Sequence, residues 1–198
     1  MKTMKIKSPR AMFRSRNQSG MSLIETVIAL AILLVVSAGI MGVAAIATLT
    51  TENQGNLSAR TAEYAQDKLE QLISIAYTDT ITDTTVFPAV NSGGTGLYVC
   101  ATLPCSVGTV AGSADPDTPV TGPGTGFVDY LDKTGTPLTV VGGVAPADWF
   151  YIRVWQISQF AANVKQITIT CKVRYGVGSS GAGALSQSTV STLKAYPY

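Results

Sequence analysis

Apolar and polar positions along this chain follow three different rhythms. From Thr26 to Thr51 no residue is charged, and Val27 to Leu49 is almost wholly apolar, with Ser37 and Thr48 the only hydroxyls. At about 1.5 Å of rise per residue, that run predicts a helix roughly 35 Å long, enough to cross a hydrocarbon core of about 30 Å with some tilt. A helix buried in a globular core is the competing reading. The chain beyond looks too small and polar to wrap one.

A polar patch from Thr50 to Asn56 follows, with Gly55 a candidate bend or break. Apolar residues then recur at Ala62, Ala65, Leu69, Leu72, Ile73 and Ala76, steps of three and four that predict one stripe of a helix. Arg60, Glu63, Asp67, Lys68 and Glu70 are expected mostly off that stripe. The helix is expected to stop near Tyr77, where TDTITDTT begins a run of poor helix formers.

Period two takes over near the C-terminus. Trp149–Ser158 is aromatic and β-branched, a strand composition. Between Val164 and Tyr175, residues Ile167, Ile169, Cys171, Val173 and Tyr175 share one face, and Gln166, Thr168, Thr170, Lys172 and Arg174 share the other. A Gly176–Gly183 loop leads to a polar strand from about Leu185 to Ala195, so these three strands predict an antiparallel meander. Its apolar face needs cover, which the amphipathic half of the helix supplies. Residues 78–148 are dense in turn signals such as NSGGTG, DPDTPVTGPGTG and TGTP. Only Leu97–Ala101, Phe127–Leu131 and Leu138–Val141 stand out there as short strands. The expected fold class is α+β, one long N-terminal helix packed on a C-terminal antiparallel β-sheet. The expected divisions are a leader at 1–20, an apolar helix at 21–50, its amphipathic continuation at 51–77, a loop-rich region at 78–148 and the sheet at 149–198.

Charge changes the picture at the N-terminus. Lys2, Lys5, Lys7, Arg10, Arg14 and Arg16 put six positive charges and no acid into the first twenty residues. The chain holds 14 basic and 12 acidic side chains; without those six, eight basic remain against twelve acidic, turning +2 into −4. The basic balance thus belongs to the leader, and no nucleic-acid partner is expected. A basic flank before a span holds that end in the cytoplasm, which places the remainder outside.

Glu25 stands alone at the front of the apolar run, where an isolated carboxylate is costly in lipid and ordinarily has a partner. Its neighbours are Gly20, Met21, Ser22, Leu23 and Ile24. Glycine, then a glutamate five residues on, then the apolar run resembles the type IV pilin N-terminus. The group it is most similar to is the PilV-type minor pilins and the I-type minor pseudopilins of type II secretion. The segment AEYAQDKLEQL resembles the helix end of the same group.

That resemblance implies cleavage by a prepilin peptidase between Gly20 and Met21, N-methylation of Met21, and a role for Glu25 in subunit assembly against the terminal ammonium of a neighbour. Two such charges are tolerated in a low-dielectric core when they satisfy each other. Other implied partners are pilin or pseudopilin subunits, an inner-membrane assembly platform and the lipid bilayer. The sequence departs from the pattern at Met21, where phenylalanine is commonest. It also has Gly39 and Gly42 where many pilins carry a proline. Ala38 and Gly42 form a small-xxx-small pair suited to helix packing. An ordinary secretory signal, cut after Val43-Ala44-Ala45, and an uncleaved anchor are the rival readings.

Cysteine and acid chemistry add little. In an oxidising compartment Cys100 and Cys105 are the favoured disulfide, with the two pairings to Cys171 left open. Cys171 is expected as a buried thiol. The chain has no histidine, which removes Ser-His-Asp and Cys-His arrangements, and neither a P-loop nor a GxGxxG is present. Asp115, Asp117, Asp129 and Asp132 are the nearest thing to a calcium ligand set, but a solvated acidic turn is the favoured reading. No catalytic residue, metal or cofactor is expected. The functional expectation is a minor pilin-like structural subunit of a type IV pilus that helps initiate, cap or modify the filament, held in the inner membrane with its head outside. The alternatives are a minor pseudopilin of a type II secretion system and a tip adhesin or DNA-uptake pilin.

Overall fold

A computed structural model describes residues 22–85, 94–100, 105–119, 126–140, 144–175 and 185–197. Contacts divide the chain into two compact units, with the boundary between Ile46 and Ala47. One helix, α1 (Leu23–Ser74), contributes to both, and helical hydrogen bonding runs through Gly55 without a break. It ends three residues before Tyr77. The lysines Lys194 and Lys165 then take over the unsatisfied carbonyls beyond the last turns: Lys194 Nζ donates to Ile73 and Ile75, and Lys165 Nζ to Tyr77 at 2.7 Å.

In the second unit, six strands form one antiparallel sheet among the described residues. They are β1 (Val110–Gly112), β2 (Val128–Leu131), β3 (Pro137–Leu138), β4 (Tyr151–Ala161), β5 (Val164–Val173) and β6 (Gln187–Ala195). The order is β3-β2-β4-β5-β6, and β1 pairs with the far half of β4, continuing the edge where β2 leaves off. The expected meander is present as β4-β5-β6, with Trp155 opposite Ile169 and Ile169 opposite Val190. A register shift between Gln159 and Ala161 closes the β4–β5 hairpin and turns Phe160 out to solvent.

The alternation of β5 does what its pattern requires: Ile167, Ile169, Cys171 and Val173 are buried, whereas Tyr175, past the strand end, is exposed. With Tyr151, Trp155 and Ile157 of β4 and Leu131 of β2 they meet Tyr64, Ala65 and Leu72 of α1 in the main core. The opposite face of the sheet is also covered. Val128, Tyr130, Ile152 and Val154 pack under Leu138, Val140, Ala145 and Trp149.

Three expectations need correction. The described part of Leu97–Ala101 is not a strand; Gly96, at φ +49°, turns the chain so that the Leu97 amide meets the Asp79 carbonyl at 2.8 Å, although Leu97 and Val99 still enter the core. The strand at Leu138–Val141 is the two-residue β3, starting at Pro137, and residue 141 lies outside the described residues. β1 carried no strand signal; it forms because Gly112, at φ +78°, brings the backbone so close to Trp155 that a Cβ would lie 2.3 Å from its carbonyl oxygen. The Gly176–Gly183 loop lies outside the described residues.

The largest correction is to the helix stripe. Its buried positions are Thr61, Tyr64, Ala65, Lys68 and Leu72, so a lysine expected in water sits 1% exposed. Lys68 Nζ is 2.8 Å from Asp129 Oδ2, also donates to the Thr84 carbonyl, and lies 4.5 Å from the centroid of the Trp155 ring. Arg153 of β4 grips the same Asp129 with two parallel bonds of 2.8 Å, from Nε and from Nη2. Its Nη1 reaches the helix, at Tyr64 O (3.2 Å) and Asp67 Oδ2 (3.0 Å). Burial pushes the Asp129 carboxyl up, but Arg153 and then Lys68 more than reverse this and hold it below the ordinary range. For Lys68 burial prevails over the attraction of Asp129, and its ammonium titrates below a free lysine.

Two outcomes follow for stability. Leu72→Ala, which empties a fully buried site on α1, is expected to lower the unfolding free energy by about 2–5 kcal/mol in a urea titration. Asp129→Asn leaves buried Lys68 without its anion and Arg153 with only the half-exposed Asp67, and is expected to cost about 3–5 kcal/mol, more than Lys68→Met, which keeps the Asp129–Arg153 pair. Because the folded pKa of Asp129 is depressed, its contribution is fully present above the unfolded value of about 3.9 and is lost as pH falls through the folded pKa. The urea midpoint of the native protein should therefore drop on acidification below about pH 4, and Asp129→Asn should flatten that drop.

Candidate functional site

The segment from Ser22 to Ile46 is the strongest candidate for a functional element. Ser22 precedes the helix, and its carbonyl accepts the Glu25 amide at 2.9 Å and the Thr26 amide at 3.2 Å. The Thr26 hydroxyl donates to Leu23 O at 2.7 Å. Glu25 thus lies in the first helical turn, where the free backbone amides favour a negative charge. Gly20 and Met21, the expected cleavage and methylation positions, lie outside the described residues.

Beyond Glu25 the helix is long and apolar enough to cross a membrane by length and composition, and none of its most apolar stretch is buried within the chain. Leu30, Leu34 and Met41 are 64%, 70% and 73% exposed. Water does not tolerate so continuous an apolar surface, so lipid or other protein has to cover it. Ala38 and Gly42 are exposed on this stretch, and a Cβ added to Gly39 or Gly42 would meet nothing within 4 Å. Among the described residues no contact therefore requires glycine at either place. Gly39 leaves a notch edged by Val36, Ile40 and Val43, a shape that admits a knob from another helix.

The other sequence candidates serve the fold. Cys100 and Cys105 are joined by a disulfide, with Cα atoms 5.8 Å apart. Cys171 is buried, and burial pushes its thiol up to about 12. Tyr151 and Trp155 are core residues, and Trp149 packs against Tyr130 under the Arg174 guanidinium. The four aspartates are not gathered. Asp115 accepts from the Asp117 amide and the Thr118 hydroxyl, Asp117 pairs with Lys172, and Asp129 is held in the core. Asp132 caps its own turn through the amides of Thr134 (2.7 Å) and Thr136 (2.9 Å). Among the described residues no group of three or more His, Cys, Asp or Glu side chains is placed to hold a metal.

Lys68, Arg153 and Lys165 are the residues that sequence reasoning passed over. Arg153 interrupts an otherwise apolar strand, and that interruption was the one available sign of a buried partner.

Residues 15–41 match the family model of the prokaryotic N-terminal methylation motif. That match covers the end of the basic leader, Gly20, Met21, Glu25 and the first half of the apolar run. Neither the curated proteins nor the solved structures give a match to the chain. The motif is that of structural subunits processed by prepilin peptidase and assembled with other pilins. Set at the head of a long apolar helix whose far end packs on an antiparallel sheet, it supports a type IV pilin-like protein.

Proposed function

We propose that this chain is a minor pilin-like structural subunit of a type IV pilus, which helps to initiate, cap or modify the filament. The observation that carries the reading is the single carboxylate of Glu25 in the first turn of an apolar helix that nothing within the chain covers. Cleavage after Gly20 creates an ammonium at Met21. Glu25 lies four residues further on, about 6 Å along a helix axis. In a filament the carboxylate meets the ammonium of a neighbouring subunit. The apolar face around Gly39 then exchanges lipid for other helices, so that one surface serves both the inner membrane and the fibre core. The basic leader keeps the cleavage site on the cytoplasmic side and leaves the head on the periplasmic side.

Mass spectrometry of the mature amino terminus tests the processing step. With a prepilin peptidase present, the native chain should begin at Met21 and carry a methylated amine, and Gly20→Ala should retain the leader. A terminus at Ile46 would instead place the cut of a secretory signal. Glu25→Gln should be processed normally, yet its recovery in sheared filaments should fall roughly tenfold or more, the loss expected when one buried charge pair is left unpaired. Undiminished recovery would remove the role given to Glu25.

A further inference from the structure

Beyond the end of α1 the second unit contains a cleft of about 340 Å³, within the size range of small-molecule sites. Its walls include Tyr77, Tyr98, Tyr196, Gln159, Lys165 and the Cys100–Cys105 disulfide. Gln159 is 3% exposed. Its amide nitrogen donates to the carbonyls of Ala161 (2.6 Å) and Ala162 (3.1 Å) and to Tyr77 Oη (3.2 Å). Carbonyl oxygens only accept, so these contacts decide which end of the amide is nitrogen. The oxygen, Oε1, then accepts no hydrogen bond among the described residues. It is not sealed in the interior, where the unpartnered side-chain atom is Trp155 Nε1. Gln159 lines the cleft, and Oε1 is the side-chain acceptor it has left for an entering donor.

The surroundings restrict the donor. Lys165 Nζ is held by the carbonyls of Tyr77 and Leu97, both at 2.7 Å, and lies 4.5 Å from the centroid of the Tyr77 ring. Lys194 stands close by, on the carbonyls of Ile73 and Ile75. Neither lysine makes a salt bridge among the described residues, and Asp79, whose charge Lys165 also feels, is spent on the Ile81 and Thr82 amides and the Thr82 hydroxyl, so the field disfavours a cationic donor. The entering group is a neutral hydroxyl or amide. Tyr98 is half-buried in the wall, and its ring has no aromatic or cationic partner among the described residues, so its π-face, unlike those of Tyr77 and Tyr196, is not already engaged by another ring or a cation. Thr78, Thr80 and Asn163 add further donors and acceptors at the rim. A ligand with one flat C–H face and an edge of neutral hydroxyls satisfies all of these at once.

We propose that this cleft binds a neutral pyranose, with the sugar ring stacked on Tyr98 and one hydroxyl donated to Gln159 Oε1. The site is built entirely from the second unit and does not depend on processing at Gly20, so it stands or falls separately from the assembly reading.

The test is a titration of the full chain, in micelles of a sugar-free detergent, with the methyl glycosides of glucose, galactose, mannose and N-acetylglucosamine up to about 50 mM, followed by NMR of the glutamine side-chain amides. At least one glycoside should give saturable shifts at Gln159 with a Kd in roughly the millimolar range. Tyr98→Ala should weaken binding roughly tenfold or more at an unchanged Tm, while Tyr98→Trp, which keeps a stacking face, and Tyr175→Ala, outside the cleft, should bind as the native chain does. The proposal is overturned if no glycoside saturates, if Tyr98→Ala binds as well as the native chain, or if a neutral Gly/Ser peptide shifts the Gln159 amide and the glycosides do not.

Discussion

Asp129 is held by two cations from two different elements, and the second unit depends on that arrangement. The carboxylate sits on β2, deep under the helix, where an unpaired charge would cost several kcal/mol. Arg153, directly opposite on the adjacent strand and on the same helix-facing side, satisfies it from the sheet, and Lys68 satisfies it from the helix above. Because Arg153 also bonds the Tyr64 carbonyl and Asp67, the cluster fixes both the rotation of α1 about its axis and its position along the sheet. Apolar packing alone would tolerate a helix shifted by a turn. This set of hydrogen bonds would not, since a shift parts Lys68 from Asp129 and leaves a buried ammonium without its anion.

The same helix meets the opposite demand in its first half. There every large apolar side chain is exposed, and no described residue covers them. The proposed filament role draws on that deficit. A surface satisfied equally by lipid tails and by other helices can move from one to the other without a large penalty. In the proposed assembly a charge at its leading end supplies the register that apolar contacts lack. The glycine notch at Gly39 gives such contacts a shape without prescribing a partner.

At the other end of α1, lysines bind carbonyls that the last turns leave open, and this ties the helix terminus to β5 and β6. The aromatic cleft is a by-product of that tie. Lys165 and Gln159 are drawn inward to serve backbone groups, and the tyrosines over them line the space that remains.

Much of the architecture was legible in residue order alone. The uncharged run from Thr26 to Thr51, the glutamate at its mouth and the strict alternation of Val164–Val173 each fix an element through a short-range rule: helix rise against bilayer thickness, charge against dielectric, side-chain alternation against a one-sided core. The prepilin character belongs here too, since it resides in a contiguous stretch. Tertiary structure alone decided the rest. Lys68 looks like a surface lysine until Asp129, sixty-one positions later, is folded over it. β1 exists only because Gly112 meets the Trp155 backbone, and the cleft only because Tyr77, Tyr98, Gln159 and Tyr196 converge from four separate segments. Contacts between residues so distant in sequence leave no periodicity to read, because their energy depends on a spatial neighbour that the local pattern does not name.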